Sequence, residues 1–203
     1  MKIINLEQRS AEWLAWRKER VTATDAAVIC GSNRYKTLHD LWLEKQPNFV
    51  PGPPNEHMLR GELLEPEARA LFIQDTGIEV EPIVAEHSSQ CWAGASLDGI
   101  STCGKILLEI KCPSHRNHLF SLECGILEYW QAQIQHQFFV TGAEIAFFMS
   151  YNPDFEDGRK FIVRDLLPDW EFIERMVAAE RYFYDINMLG EVEPVKQLYI
   201  ETA

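Results

Sequence analysis

The chain has 203 residues, 46% of them apolar and 25% charged, which suits one globular domain with a real core and excludes an intrinsically disordered chain. Its 31 acidic residues outnumber 19 lysines and arginines. The resulting net charge of −12 argues against nonspecific coating of nucleic acid, which relies on cations neutralising phosphates, yet leaves room for a nuclease whose metal-holding carboxylates add negative charge.

The opening, MKIINLEQRSAEW, turns polar early and lacks the apolar stretch and cleavage site of a secretory leader, so a cytoplasmic location is expected. The five cysteines form no CxxC pair and read as reduced thiols. No apolar run approaches the roughly 18 residues of a membrane helix. Ser10 reads as the N-cap of a helix to about Glu19, Thr22 or Thr24 as the cap of a second ending at Gly31, and TLHDLWLEK as a third. The proline-rich stretch QPNFVPGPPNE then separates this helical segment, residues 1–50, from a core over 55–166, with a C-terminal helix over 167–190, all in one domain spanning 1–203.

NEHMLRGELLEPEARALFIQDTG has helical spacing, with Leu59, Leu63, Leu71 and Phe72 available for a buried face, Gly77 as a stop and Pro66 implying a kink or restart. The period then changes. IEVEPIVAEHS, CWAGASLD and KILLEIKC read as an antiparallel meander, EYWQAQIQHQFFVTG as a helix, EIAFFMSYN and KFIVRDLL as two more strands, and PDWEFIERMVAAERYFYDINMLG as a closing helix. The expected fold is α/β, a central mixed sheet of about five strands flanked by helices.

On KILLEIKC, alternation puts Ile106, Leu108, Ile110 and Cys112 on a core face and Leu107, Glu109 and Lys111 on the other. Charges on so apolar a strand are costly unless paired or bound to metal. Asp98 ends the preceding strand before a turn at Gly99, and a hairpin from Asp98 to Lys105 would bring its carboxylate beside Glu109. Two close carboxylates suit Mg²⁺ or Mn²⁺, and Lys111 beside them suits orientation of a water or stabilisation of charge on a phosphate. Taken singly, a cross-strand ion pair and a turn-forming aspartate are the commoner readings. Together, Asp98 and then Glu109-x-Lys111 match the motif of the PD-(D/E)xK nuclease superfamily, whose core is restriction-endonuclease-like.

The order RGELLEPEARALF, GASLDG, LLEIKCP, AQIQHQFFVTG and FFMSYNP, with EWLAWRKERVTATDAA ahead of it, resembles the lambda-type exonucleases of the YqaJ-like viral recombinase family. The similarity runs from about Trp13 to about Asp154. It implies that Asp98 and Glu109 ligate Mg²⁺ with help from the Ile110 carbonyl, that Lys111 is the catalytic lysine, that Glu65 is the helix carboxylate assisting the metal and that Gln135 is a glutamine near the active site. Arg17 matches the arginine that grips the 5′-phosphate of the digested strand, and Thr24 and Ser96 match hydroxyl donors of that pocket, Thr24 standing where a serine is usual. Arginine offers phosphate a bidentate fork, and a hydroxyl at a helix start adds a donor. Met58 becomes an apolar wedge at the duplex end, and Arg34 and Lys36 further phosphate contacts. A surface arginine, a capping threonine, a strand serine and a solvated glutamate are the commoner roles of such residues; Met58 could equally be core, and Gln135 part of a polar helix face.

The spacing Cys112, His115, His118, with Cys124 beyond, invites zinc but lacks the paired clusters of a zinc module. The cysteines likewise lack the grouping of an iron–sulfur site, and Trp13 and Trp16 read as packing. The resemblance implies a Mg²⁺-dependent deoxyribonuclease, with Mn²⁺ as a substitute, in the bacterial host cytoplasm. It would digest one strand of linear duplex DNA 5′→3′ from a 5′-phosphorylated end and leave a 3′ overhang for single-strand-annealing recombination. A ring-shaped homotrimer and an annealing protein as partner are further implications, with no membrane involved. A site-specific or structure-specific endonuclease on the same core, and a noncatalytic DNA-end-binding module, are the competing classes.

Overall fold

In the computed structural model, which describes residues 1–156 and 158–195, Ser10 opens the first helix, α1 (Ala11–Lys18), its Oγ accepting the Trp13 amide at 3.1 Å. Residues 196–203 of the domain expected over 1–203 lie outside the described residues. Thr22, rather than Thr24, caps α2 (Ala23–Ile29): Asp25 Oδ2 accepts both the Thr22 amide, at 2.8 Å, and its hydroxyl, at 2.9 Å. Thr37 caps α3 (Leu38–Lys45) in the same way, and Lys45 Nζ returns to Asp25 at 2.6 Å, tying α3 to the start of α2. The buried Asp25 carboxyl is pushed up by burial, but Lys45 and Arg17 outweigh this and hold it below its ordinary value.

The next helix, α4 (Glu56–Thr76), runs through Pro66 without a restart, one of the two outcomes expected there. Pro66 and Glu62 both lie on its exposed side, where water can serve the carbonyl that a proline amide cannot. Gly77 ends it in the left-handed region at φ 71°. Its buried stripe is Leu64, Ala68, Leu71 and Phe72, whereas Leu59 and Leu63, expected inside, are 51% and 78% exposed. Leu63 precedes Leu64 by one residue and is therefore turned about 100° off the stripe.

β3 (Val80–Glu86), β4 (Ala93–Ser101) and β5 (Ile106–Lys111) form the expected antiparallel meander. A crossover through α5 (His115–Glu123) and α6 (Glu128–Thr141) leads to β6 (Ile145–Tyr151), parallel to β5, and β7 (Phe161–Leu166) returns antiparallel to it. Two further strands join them. β1 (Lys2–Ile4) pairs with β3, and β2 (Val21–Thr22) pairs in parallel with the start of β4, so the sheet has seven strands rather than about five. At three and two residues, both are too short to show alternation.

The path through the sheet is β1-β3-β4-β5-β6-β7, which leaves β5 central. One side is packed by α2, α6 and the last helix, α7 (Trp170–Tyr182), around Leu97, Leu107, Ile134, Phe138 and Met176; α4 covers the other through Phe72, Val80, Leu108 and Ile110. Both faces of β5 are therefore buried, including the one that carries Glu109. A π-helical segment, Phe183–Leu189, continues α7. No helix among the described residues is long and apolar enough to cross a membrane.

Candidate active site

Asp98 lies within β4 rather than at its end, because the chain runs on through Gly99 to Ser101 and turns only afterwards, at Gly104 with φ 72°. Gly99 is no turn residue. A Cβ there would meet Val80 Cγ2 at 2.9 Å and Leu108 Cβ at 3.1 Å, so the glycine permits close approach of β3 and β5. The β4–β5 ladder pairs Ile100 with Leu107 and Gly99 with Leu108 and then stops. At that fork the Asp98 side chain replaces a strand carbonyl, Oδ2 accepting the Ile110 amide at 2.8 Å. The expected closeness of Asp98 and Glu109 arises from this fork, not from a tight turn.

Glu109 is fully buried and held from three directions. Gln133 Nε2 donates to Oε1 and Gln137 Nε2 to Oε2, each at 2.6 Å, and Lys111 Nζ donates to Oε1. Gln135 does not join them. Its amide spans the β7–α7 connection, donating to the Leu167 carbonyl at 3.2 Å and accepting the Asp169 amide at 2.9 Å. Gln133 and Gln137, one helical turn apart, share a face of α6, and Gln135 is turned about 160° from it.

Glu65 is clamped by Arg69, one turn along α4, and by Arg9 Nη2 at 2.9 Å; Arg69 Nε also donates to the Asp98 carbonyl at 2.6 Å. Burial and the Glu109 carboxylate, with Glu65 behind it, push Asp98 well above the ordinary carboxylate value against the pull of Lys111. Burial would lower Lys111, but Glu109 and Asp98 outweigh it and keep the ammonium charged. Among the described residues no three His, Cys, Asp or Glu side chains converge as a ligand cluster. A divalent ion would have Asp98, Glu109 and a main-chain carbonyl as protein donors and water for the rest, a set that suits Mg²⁺. Two carboxylates beside one ammonium leave negative charge that a divalent ion would offset.

Next to this site, Arg17 Nη2 donates to Thr24 Oγ1 at 2.7 Å and its guanidinium lies over the Trp13 ring at 4.6 Å, while Trp13 Nε1 donates to Ser96 Oγ at 2.7 Å. Arg17, Thr24 and Ser96 are thus brought together through Trp13, a residue expected only to pack. Trp16 is the packing residue, buried with its Nε1 on Glu86 Oε1 at 2.9 Å. Ser96 precedes Asp98 by two residues, about 7 Å along the strand. Of the remaining candidates, Lys36 is paired with Glu44 at 2.7 Å, Arg34 lies in the loop between α2 and α3, and Met58 is 61% exposed in the first turn of α4. His118 is buried between Ser150 Oγ and the Arg159 carbonyl, both at 2.8 Å, and His115 stacks on Phe155.

The model of the YqaJ-like viral recombinase domain matches residues 12–144. The chain belongs to that family. The matched span runs from the residue before Trp13 to the residue before β6, so it contains the β4–β5 fork, the Arg17 cluster and the glutamines of α6. Among relatives, the chain is 29% identical over 193 residues to YqaJ, an uncharacterized protein of Bacillus subtilis, covering 94% of this chain and 60% of that protein. It is also 29% identical over 218 residues to an uncharacterized protein of Acanthamoeba polyphaga mimivirus, covering 98% of this chain and 39% of that protein, so it spans less than two thirds of either relative.

Among solved structures, the alkaline exonuclease LHK-Exo of Laribacter hongkongensis, in complex with dAMP, superposes with a TM-score of 0.77 at 26% identity, covering 90% of this chain and 94% of that one. A phage-related exonuclease from Haemophilus somnus shares the fold, with a TM-score of 0.61 at 15% identity over 85% of this chain and 96% of its own.

Proposed function

We propose that the chain is a divalent-metal-dependent deoxyribonuclease that digests one strand of linear duplex DNA from a 5′-phosphorylated end, 5′→3′. The observation that carries this reading is the fork between β4 and β5, where half-buried Asp98 and buried Glu109 stand beside one ammonium, Lys111, which is bonded to Glu109. Membership of a viral recombinase family and the likeness to an alkaline exonuclease support the choice of DNA as substrate.

Asp98 and Glu109 would hold Mg²⁺, or Mn²⁺ in its place, with the Ile110 carbonyl, and Glu65 would add charge behind them. The ion, when bound, polarises the phosphate and acidifies a water. Asp98 is fixed by the Ile110 amide through Oδ2, and its Oδ1 takes no hydrogen bond among the described residues. Gln133 and Gln137 fix both oxygens of Glu109, so its orientation does not depend on Lys111. Lys111, held charged, is a donor rather than a base: it orients the water and meets the charge that grows on the phosphate.

Attack forms a bond from water oxygen to phosphorus and breaks the P–O3′ bond, releasing a nucleoside 5′-monophosphate. The shortened strand again carries a 5′-phosphate. Arg17, with the Thr24 and Ser96 hydroxyls, would receive that phosphate about 7 Å from Asp98, close enough for the terminal phosphate and the adjacent phosphodiester to be held together. Met58, exposed at the start of α4, would meet the duplex end. The resulting 3′ overhang is a substrate for an annealing protein, and a homotrimeric ring in the host cytoplasm would keep an acidic chain on DNA by topology.

Digestion of linear duplex DNA with Mg²⁺ tests this, comparing 5′-phosphorylated ends, 5′-hydroxyl ends and a closed circle, with Asp98→Ala as control. Loss of one strand from the phosphorylated linear substrate, the circle spared, is expected. Cutting of the circle would establish an endonuclease, and binding without cutting a DNA-end-binding module. Arg17→Ala should blunt the preference for phosphorylated over hydroxyl ends; an unchanged ratio removes Arg17 from the pocket. Gln133→Ala should lower cleavage by roughly 10–100-fold and raise the Mg²⁺ needed for half-maximal rate, as expected of a positioning residue behind a ligand. An unaltered Mg²⁺ requirement would leave Gln133 a purely structural role.

A further inference from the structure

Beyond the carboxylates, a cavity of about 360 Å³ opens between the loop that follows α2 and the two crossover helices. Its lining includes Arg34 and Tyr35 from the loop, Arg116, Asn117 and Glu123 from α5, and Tyr129 from α6. Three observations give it chemical character. Tyr35 is 74% exposed, and Asn33 Oδ1 accepts the amides of Tyr35 and Lys36 at 2.8 and 3.1 Å, which fixes the loop that presents the ring. Tyr129 stands edge-on to Tyr35, centroids 6.3 Å apart, and edge-on to the buried Trp130 at 5.1 Å, so its ring is set by the core. Arg34 and Arg116 have no carboxylate within ion-pair distance among the described residues, although most other arginines of the chain do.

The groove is tied to the fork through α6 and α5. Tyr129 precedes Gln133 by one helical turn and shares its face, and Gln133 grips Glu109. Arg116 and Asn117 begin the helix that follows Lys111 after a short connection. Glu123, the carboxylate of the lining, is seven residues from Arg116, about 10 Å along α5, and does not neutralise it.

We propose that this groove cradles one unpaired nucleotide of the DNA strand next to the scissile phosphate, its base on Tyr35 against Tyr129 and its flanking phosphates on Arg34 and Arg116. The cradle rests on the nuclease reading and extends it from the reacting phosphate to the neighbouring base. Paired cations with an exposed aromatic ring are the combination that holds single-stranded nucleic acid, because phosphate supplies charge to the arginines and every base has a face to stack. The volume suits one nucleotide, and a base inside a duplex is stacked on both faces and offers none to Tyr35. Asn117 would meet the base edge with a donor and an acceptor, which makes the cradle tolerant of sequence.

Binding of the full chain in EDTA to three labelled DNAs tests the cradle: a blunt duplex, the same duplex with a single-stranded tail, and the tail alone. Tyr35→Leu should weaken binding of the tail and the tailed duplex roughly tenfold and leave the blunt duplex unchanged, while Tyr35→Phe, which keeps the ring, should restore binding. Arg116→Gln should weaken the tail and reduce the slope of log affinity against log salt by about 0.7. Both side chains are exposed, so neither change threatens the fold.

Unchanged tail binding in both variants overturns the cradle. So does a shift in the sedimentation of Tyr35→Leu with DNA binding intact, which would make the groove a contact between copies of the chain. Cleavage of duplex DNA with Mg²⁺, read in parallel, separates the two claims: a parent chain that cuts while the variants bind normally sinks the cradle alone, and one that neither binds nor cuts sinks both.

Discussion

Lys111→Ala should lower the rate of phosphodiester cleavage by at least about 10²–10³-fold, the cost of removing a donor preorganised for transition-state charge, while DNA affinity changes little. The separation follows from where the ammonium sits. It is bonded to Glu109 and faces Asp98 across the fork, so it serves the reacting group rather than a run of backbone phosphates. The fold should survive, because Glu109 keeps Gln133 and Gln137 and Asp98 keeps the Ile110 amide. One readout distinguishes a chemical role from a structural one: without an ammonium on Glu109 Oε1, the Mg²⁺ concentration that half-saturates the protein should fall. Lys111→Arg should restore the charge but not the rate, since a planar fork cannot occupy the position of a compact ammonium. Cleavage at the parent rate in Lys111→Ala would remove the lysine from the mechanism.

The same physics explains what was legible in the sequence. Glu109 and Lys111 stood out because ionised groups on a strand of leucines and isoleucines are costly without a purpose, and that cost can be read without coordinates. The spacing to them also picks out Asp98, but not its local setting: Asp-Gly suggests a turn, whereas Gly99 lies mid-strand and lets Val80 and Leu108 close in. The glutamines of α6 illustrate the converse. QAQIQHQ offers an amide at every second position, and only the rotation at which α6 docks selects Gln133 and Gln137 over Gln135; that rotation is set by Ile134 and Phe138 in the core. Trp13 and Trp16 pose the same ambiguity on α1, one carrying the Arg17 cluster and the other burying its ring. Leu59 and Leu63 were misplaced because Leu64, one position on, begins the stripe that meets the sheet.

Glu180→Ala should destabilise the fold by about 3–5 kcal/mol, lowering the melting temperature on the order of 10 °C for a chain of this length. Glu180 on α7 and His136 on α6 are both fully buried, with Glu180 Oε1 2.8 Å from His136 Nδ1, while His136 Nε2 faces the Gly94 carbonyl at 3.1 Å. Each ring nitrogen faces an oxygen, an arrangement that an imidazolium donating from both nitrogens satisfies. Burial opposes that charge, but Glu180 and the Gly94 carbonyl outweigh it and hold His136 above its ordinary 6.5. Burial also raises Glu180, against the pull of His136 and with a further push from Asp25; Cys30 lies in its field, and His87 in that of His136.

Both members of the pair therefore bind protons more tightly folded than unfolded. Wherever the folded state holds more protons, stability falls as pH rises. The histidine contribution is complete below 6.5 and is lost as pH climbs from there through the raised folded value. Glu180→Gln, which keeps the shape and removes the charge, should flatten that alkaline decline; melting curves from pH 6 upward that decline as steeply as the parent's would refute the assignment. Replacing both residues by leucine should cost less than Glu180→Ala alone, because no unpaired charge is then left in the core. If the double variant were the less stable of the two, the pair would be a source of net stability. The strut between α6 and α7 would then also help to fix the rotation of α6 that turns Gln133 and Gln137 toward Glu109.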